Sequence, residues 1–358
     1  MYMYIYSLRV KEVKKNKKVR IYSLQLALQL QNKSIDTQSR SCKMKFFRIV
    51  SILLVCLFMY FKTNLLQSGT DQAPSFCHHN PILRQYTLKD KQEIDGFSRS
   101  IRENRFQLSE DLIEKGAIYH DRLQIFQPIP RNLACPVSFE RYGSKGVGEA
   151  KFLCGVNYSN SRHQKCLVMS LGSDGDFTFE EALVQSTDCW VRTFDCTGAE
   201  RGMDFQSMKP RTERIKFYDL CIAKLNYEKD KKRFVTASEL LNGAPERVSL
   251  LKMDIEGYEF EVISELLLQT ATERLPLQIA VEVHYGSQMP ELWWSYRADL
   301  IRYDKKKREE IMKHGGKSAA QLALFQNMLE DYGYRLIMKE DNPQAGLATE
   351  LVFMRFYC

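Results

Sequence analysis

Apolar residues follow two different patterns along the second half of the chain. Short continuous apolar runs indicate buried strands, whereas apolar residues that recur every three or four positions indicate helices. The apolar runs predict strands at residues 166–171, 189–194, 215–221, 248–253, 277–283, 335–339 and 350–357. The helical patterns lie at residues 179–184, 237–241, 258–269 and 319–332.

This alternation of strands and helices is typical of α/β proteins with a parallel sheet. The last two predicted strands, 335–339 and 350–357, are joined by only a short connection. Such a connection permits a hairpin, so the C-terminal strand is expected to run antiparallel to its neighbour. The pattern therefore predicts an α/β domain over residues 131–358 with a mostly parallel sheet.

A different pattern marks the N-terminal part of the chain. Residues 46–62 contain the apolar run FFRIVSILLVCLFMYF, which follows a basic stretch. This predicts a single-pass signal anchor, short for a span of ~20 residues but able to cross when tilted. Residues 1–45 would then form a basic cytosolic tail, and the polar residues 63–130 would form a stem. Translation from Met44 would give an ordinary signal sequence, so an over-extended start is the alternative for the tail.

This topology places the domain in the lumen of the Golgi or another secretory compartment, or outside the cell if the anchor is cleaved. The formal net charge of +8 does not alter that expectation, because residues 1–45 alone carry a net +9. Nucleic-acid-binding proteins present a basic surface to the phosphate backbone. The nearly neutral remainder of the chain therefore argues against nucleic acid as a partner.

The cysteines also fit a secretory route. Two of the ten, Cys42 and Cys56, precede or lie within the predicted anchor. The other eight are Cys77, Cys135, Cys154, Cys166, Cys189, Cys196, Cys221 and Cys358. An even number in an oxidising lumen indicates disulfides, whereas in a cytosolic enzyme the same residues would be free thiols. Their spacing leaves the connectivity open and shows no cysteine and histidine cluster typical of zinc sites.

Candidate chemistry begins at the end of the fourth predicted strand, in the stretch VSLLKMDIEGYEFEVI. Asp254 and Glu256 follow the strand directly, and Glu259 lies one helical turn further on. Ligands of such folds bind at the carboxyl ends of the strands, which favours a site here. The alternative is that Asp254 only caps the following helix, whose first turn favours acidic residues.

A glycine-containing loop, GSDGD, ends the first strand, and Asp195 ends the second. Glycine lets a nucleotide approach the backbone of such a loop, and an acid about 20 residues later is placed to grip a ribose. Gly172 and Gly175 lack the third glycine of a dinucleotide fingerprint, which favours S-adenosylmethionine, since it has no pyrophosphate. An ordinary turn and a solvated strand-end aspartate are the alternatives.

The fifth predicted strand ends in VEVHYG, where Glu282 and His284 share one face. His284 is nearer the carboxyl end, and a histidine there can remove a proton from a substrate hydroxyl near neutral pH. The alternative is a histidine with a purely structural role in the core.

Together these segments resemble the FkbM-like methyltransferase domain. The resemblance rests on the blocks KCLVMSLGSDGDFTFEEAL, CWVRTFDCT, RVSLLKMDIEGYEFEVI and LQIAVEVHYG. It covers about residues 135–358 and is closest to animal methyltransferase-like proteins with an N-terminal signal anchor. The resemblance implies a class I methyltransferase (Rossmann-like) fold with a seven-stranded sheet, and S-adenosylmethionine as the methyl donor.

Carried over by position, the resemblance assigns roles to individual residues. Asp254 would lie beside the transferred methyl group, and either it or His284, which is proposed from its place at the end of the fifth strand, would accept or orient the hydroxyl proton. The residues that would bind the cofactor are Gly172, Asp174, Gly175, Asp195 and Glu256. Two departures affect the expected activity: residues 147–151 replace a usual Asp-Gly-Gly-Lys run, and Cys196 stands where proline is common.

The expected function is therefore methylation of a hydroxyl oxygen on a sugar or other small molecule, without a metal ion. One alternative is a type II Golgi glycosyltransferase, in which Asp254 and Glu256 would bind Mg²⁺ or Mn²⁺ for a nucleotide sugar. The other is a non-catalytic lumenal protein that retains the fold.

Overall fold

The computed structural model describes residue 77 and residues 81–115, 122–143, 150–156, 165–197, 212–285, 316–341 and 348–358. The predicted cytosolic tail and signal anchor lie outside these residues. Within the described part of the chain, no helix combines the length and the apolar character that a membrane crossing needs.

Seven strands form the central sheet. In chain order, with the strands of the described residues numbered β1 to β12, they are β3 (Leu167–Leu171), β4 (Trp190–Asp195), β5 (Ile215–Asp219), β9 (Val248–Met253), β10 (Gln278–His284), β11 (Tyr334–Asp341) and β12 (Ala348–Arg355). Their spatial order is β11-β12-β10-β9-β3-β4-β5. β12 alone runs in the direction opposite to the other six strands, and it pairs antiparallel with β10 and β11. The predicted mostly parallel sheet with an antiparallel C-terminal strand is confirmed.

The strand order places the candidate site. The chain moves outward from β3 through β4 to β5 and then returns to the other side of β3 as β9. Such a reversal opens a crevice beyond the carboxyl ends of the two strands that flank it. The glycine loop after β3 and the acidic turn after β9 both begin at this crevice.

Helices cover both faces of the sheet. They are α1 (Leu88–Glu114), α2 (Arg131–Ala134), α3 (Thr178–Ser186), α4 (Ala237–Asn242), α5 (Glu259–Gln269) and α6 (Ala319–Asp331), with short 3-10 turns at Pro81–Gln85, Leu123–Ile125 and Thr272–Arg274. Neighbouring residues of one strand belong to different cores: Leu251 packs with α5 and α6, whereas Leu250 packs with α1 and α3. Burial on both faces explains why the strands are continuously apolar rather than alternating.

Two smaller sheets were not predicted from the sequence. β1 (Phe139–Tyr142) pairs with β2 (Lys151–Cys154), and β6 (Cys221–Ile222), β7 (Tyr227–Lys229) and β8 (Lys232–Val235) form a three-stranded sheet. The predicted strand 215–221 is therefore divided between β5 and β6. These strands are short and rich in charged residues, so neither an apolar run nor a clean alternation marks them.

The polar segment expected to be a stem is largely part of the domain. The compact unit runs from Pro74 to Cys358, so it begins before residue 131. Helix α1 packs against α6, where Arg105 is buried and forms an ion pair with Glu330. The amide of Cys77 also donates to the carbonyl oxygen of Phe356. The sequence of this segment is polar and therefore suggests a stem. In the structure, polar side chains such as Arg105 bind buried partners that are distant in the sequence.

All eight cysteines outside the predicted tail and anchor form disulfides. The pairs are Cys77–Cys358, Cys135–Cys154, Cys166–Cys189 and Cys196–Cys221. The sequence indicated disulfides but left this connectivity open. The first pair links the beginning of the compact unit to the C-terminus, and the third links the residues just before β3 and β4.

Candidate active site

The glycine loop after β3 is in direct backbone contact with the acidic turn after β9. Gly172 has a φ of +82°, and a Cβ atom there would lie 1.7 Å from the carbonyl oxygen of Asp254. The amide of Asp254 in turn donates to the carbonyl oxygen of Leu171 over 2.8 Å. Only glycine satisfies both the left-handed backbone and the lack of space.

Asp195, at the end of β4, holds the glycine loop in place. Its Oδ2 accepts from the amides of Ser173 and Asp174 over 2.6 and 2.7 Å. Its Oδ1 accepts from the amide and the hydroxyl of Thr197, each over 2.7 Å. Burial favours the neutral acid, but these hydrogen bonds outweigh it and hold the pKa of Asp195 below its ordinary value.

The acidic turn after β9 is shaped by Glu259 rather than capped by Asp254. Glu259 is completely buried at the start of α5, and its Oε1 accepts from the amides of Ile255 (3.1 Å) and Gly257 (3.0 Å). Glu256 and Gly257 both have positive φ, of +57° and +102°. This leaves the carboxylate of Asp254 out of the cap and pointing towards its neighbours in the crevice.

His284, the last residue of β10, lies between three acidic side chains. Its Nδ1 is 3.0 Å from Glu259 Oε1, and its Nε2 is 3.5 Å from Glu256 Oε2 and 4.0 Å from Asp254 Oδ1. Burial opposes a charged imidazole, but the negative charge and hydrogen bond of Glu259 raise the pKa of His284 to about 10. The imidazole therefore keeps its proton near neutral pH in this structure.

The same surroundings favour the neutral form of Glu256. The pKa of its carboxyl group is about 7: burial raises it most, His284 opposes the shift, and the nearby acids Asp254 and Glu259 add to it. One carboxyl oxygen, Oε2, is buried and accepts no hydrogen bond among the described residues. Among the described residues, His284 is therefore the cationic group that faces the Glu256 carboxyl.

Lys151 of β2 completes this cluster and was not predicted from the sequence. Its ammonium lies 3.9 Å from Asp254 Oδ2 and 3.2 Å from Glu282 Oε2, and it also binds Glu350. Burial works against ionisation of Glu282, but Lys151 holds the pKa of that carboxyl at about 2. Burial raises the pKa of Glu350 to about 8 despite Lys151, and repulsion by Glu282 adds to the effect.

The structure thus brings the sequence-predicted residues together in two neighbouring groups. The first group is the glycine loop, with Gly172, Asp174 and Gly175, together with Asp195, which holds it. The second group, Asp254, Glu256 and His284, lies in the acidic crevice. The residues missed were Lys151, Glu259 and Glu350. Their signals are weak in the sequence: Lys151 stands where the resembling family has the lysine of its Asp-Gly-Gly-Lys run, and Glu259 is an acid one helical turn beyond Asp254 and Glu256.

Solved structures to which this chain is similar include the following three. A fibrillarin pre-rRNA processing protein from Methanococcus jannaschii is 12% identical, with a TM-score of 0.32, covering 62% of this chain and 89% of its own. Methyltransferase FkbM from Methylobacillus flagellatus is 13% identical, with a TM-score of 0.33, covering 53% and 43%. CalO1, a methyltransferase of calicheamicin biosynthesis in its SAH-bound form, is 13% identical, with a TM-score of 0.29, covering 53% and 49%.

These TM-scores lie below 0.5, so the family assignment does not depend on them. No curated protein matches the chain. A family model described as "Methyltransferase domain" matches residues 115–355, which is well over half of the sequence. The match confirms the expectation that S-adenosylmethionine is the cofactor. The chain therefore belongs to this family of methyltransferase domains.

Proposed function

We propose that this protein transfers a methyl group from S-adenosylmethionine to a hydroxyl oxygen of a sugar or another small molecule in the secretory pathway. The family match supports the reaction class. One observation supports the location of the reaction: the backbones of Gly172 and Asp254 are in contact, so the cofactor loop adjoins the acidic crevice.

The residues of the two groups fit this cofactor. Gly172 and Gly175, with φ of +82° and +77°, would allow the ligand to approach the loop backbone. Asp174 would line the same loop. Asp195 would hold the ribose, for which a sugar hydroxyl has to replace one of its present donors, such as the Thr197 hydroxyl. When bound, S-adenosylmethionine supplies a methyl group on a positively charged sulfur, which suits an acid-rich crevice that includes Glu256.

The side chains in the crevice would position the acceptor and take up its proton. The acceptor oxygen has to lie about 3–3.5 Å from the methyl carbon and in line with the sulfur. Asp254 is 26% exposed, so its carboxylate can be reached from the crevice, and it would accept the hydroxyl proton. His284 already carries a proton, so it would orient the acceptor oxygen by donating a hydrogen bond.

The test is incubation of the full chain with methyl-labelled S-adenosylmethionine and a panel of glycans and small hydroxyl compounds. We expect transfer of label to at least one acceptor, and loss of turnover in Asp254→Ala without loss of folding. The matched control is Asp219→Ala, because Asp219 is also a strand-end acid but is exposed at the far edge of the sheet. Full activity of folded Asp254→Ala would contradict the assignment.

The same preparation separates the other functions considered. Asp195→Ala should chiefly weaken the affinity for S-adenosylmethionine in calorimetry, and an unchanged affinity would count against the ribose role. Metal-dependent binding of a nucleotide sugar without binding of S-adenosylmethionine would instead indicate a glycosyltransferase. Binding of S-adenosylmethionine without transfer to any acceptor would favour a non-catalytic protein that retains the fold.

A secretory location is supported by the four disulfides, since such bonds persist in oxidising compartments and are rare in the cytosol. The proposed anchor in residues 46–62 would hold the protein in a Golgi or related membrane. Microscopy of the tagged full chain, together with protease protection of intact vesicles, tests this. Exposure of the domain to the cytosol would contradict the proposed location.

A further inference from the structure

Three side chains from two strand ends converge in the crevice at the spacing of a small cation site. Asp254, Glu256 and His284 each offer one ligand atom, and these atoms lie within 4.8 Å of one another. Metal–ligand bonds to such atoms are about 2.0–2.2 Å long, so ligand atoms on one ion lie roughly 3–4 Å apart. The observed separations of 3.5 and 4.0 Å from His284 Nε2 lie within this range.

His284 is also prepared in the way that metal-binding histidines usually are. A ligating imidazole commonly donates its second N–H to a carboxylate, which fixes the ring and its tautomer. Glu259 supplies that carboxylate 3.0 Å from Nδ1, and two backbone amides hold the Glu259 side chain in place. This arrangement directs Nε2 towards Asp254 and Glu256. The His284 side chain is only 5% exposed, so its direction is set by the fold.

A second observation is the excess of carboxyl groups over cationic side chains among the described residues of this cluster. Glu256 Oε2 is buried, accepts no hydrogen bond among the described residues, and points at His284 Nε2. Among the described residues, five carboxyl groups lie within ion-pair distance of Lys151 or His284, namely those of Asp254, Glu256, Glu259, Glu282 and Glu350. Buried carboxylates are retained when they are paired or bind a metal ion.

We propose that Asp254, Glu256 and His284 bind a divalent metal ion, with Mn²⁺ as the ion best suited to them. Carboxylates are suited to Mg²⁺ and Mn²⁺, whereas an imidazole favours transition metals, and the site has no thiolate that would select a softer ion. An ion at this point would hold the acceptor oxygen and lower the pKa of its hydroxyl group, whose proton would still pass to the carboxylate of Asp254. That consequence rests on the proposed function, but binding of the ion does not.

The test uses the chelator-treated full chain and Mn²⁺ alone, without S-adenosylmethionine. Free Mn²⁺ gives a strong paramagnetic resonance signal that is lost on binding, so titration yields the number of sites and the affinity independently of activity. We expect one ion per chain. His284→Gln and Glu256→Gln remove ligands and should weaken binding by more than about 100-fold. Glu259→Gln alters only the support of His284 and should weaken binding by about 10–100-fold.

The control variant is Glu261→Gln. Glu261 lies on the same helix as Glu259, but its side chain is half-exposed and faces Lys224. Binding in this variant should equal that of the unaltered protein. Glu256→Gln guards against a folding failure, because 43% of that side chain is exposed. No Mn²⁺ binding by the folded protein, or equal affinity in Glu256→Gln and Glu261→Gln, would overturn the proposal.

Parallel titrations with S-adenosylmethionine in chelator separate this proposal from the proposed function. Binding of S-adenosylmethionine without binding of Mn²⁺ would overturn the proposed metal site but would not contradict the proposed methyltransferase activity. Binding of Mn²⁺ at these residues without binding of S-adenosylmethionine would support the metal site and count against the methyltransferase.

Discussion

A Cβ atom on Gly172 would lie 1.7 Å from the carbonyl oxygen of Asp254. The two residues end neighbouring parallel strands, β3 and β9, and their backbones touch where the sheet reverses its direction of growth. The glycine loop and the acidic turn therefore form one site. The contact makes the position of each segment depend on the other.

The first prediction concerns this contact. Gly172→Ala places a side chain on a left-handed residue, which costs about 1–2 kcal/mol, and also forces the two backbones apart. We expect a loss of at least about 2 kcal/mol in the free energy of unfolding. Urea unfolding followed by circular dichroism measures it.

The matched control is Gly96→Ala in helix α1, where an added Cβ would meet nothing within 4 Å. Glycine within a helix is less stable than alanine by roughly 0.5–1 kcal/mol, so this variant should gain stability. A Gly172→Ala variant as stable as the unaltered protein would show that the contact is not as close as described.

The second prediction concerns pH. The pKa of Asp195 is lowered in the folded protein, so its ionised form stabilises the fold above the unfolded pKa of about 3.9. This contribution is lost as the pH falls through the lower folded pKa. Asp195→Asn replaces one accepting oxygen with an NH₂ group that faces other hydrogen-bond donors. It should lower the free energy of unfolding by about 1–3 kcal/mol at neutral pH.

The difference in unfolding free energy between the unaltered protein and Asp195→Asn should therefore shrink as the pH falls below about 4. Urea unfolding at a series of pH values gives this difference directly. A difference that stays constant down to pH 2 would contradict the assigned hydrogen bonds.

The third prediction tests whether helix α1 belongs to the domain. Arg105 is buried and binds Glu330 and Asn327 of α6, so Arg105→Met leaves an uncompensated buried carboxylate. Removing one partner of a buried ion pair lowers the free energy of unfolding by about 3–5 kcal/mol. Thermal or urea unfolding should show this cost, and Arg105→Met combined with Glu330→Leu should recover part of it.

Arg102→Met is the control for this helix. Arg102 and Asp331 form a similar ion pair between the same two helices, but both side chains are more than 40% exposed. Exposed pairs contribute about 0–1 kcal/mol. Equal effects of the two arginine substitutions would indicate that α1 is only loosely attached, as the stem interpretation requires.

The fourth prediction concerns Lys151, whose ammonium contacts Glu282, Glu350 and Asp254 while almost fully buried. Lys151→Met should reduce the free energy of unfolding by about 3–5 kcal/mol, since three carboxyl groups lose their shared cation. Adding Glu350→Gln removes one of the buried acids and should restore part of the stability. No recovery in the double variant would argue against the described network.

The main sheet could be predicted from the sequence, and so could the glycine loop and the acidic turn of the site. Buried strands such as Val248–Met253 are continuous apolar runs, and the loop and turn residues Gly172 and Asp254 directly follow such runs. These features are local, so a single sequence reveals them. The antiparallel β12 was also predicted, from the short connection before it.

The rest depends on contacts between distant residues. Lys151 lies 199 positions from Glu350, and Arg105 lies 225 positions from Glu330, so no local pattern could pair them. Glu259 looked like an ordinary acid of a first helical turn, and only its burial beside His284 gives it a second role. The disulfide connectivity was open for the same reason.

Calorimetric titration of S-adenosylmethionine into the full chain tests whether the glycine loop and the acidic turn form one cofactor site. We expect saturable binding of one equivalent to the unaltered protein, retained in Gly96→Ala and lost in Gly172→Ala. No binding by the folded protein, or equal affinity in the unaltered protein and Gly172→Ala, would contradict this expectation.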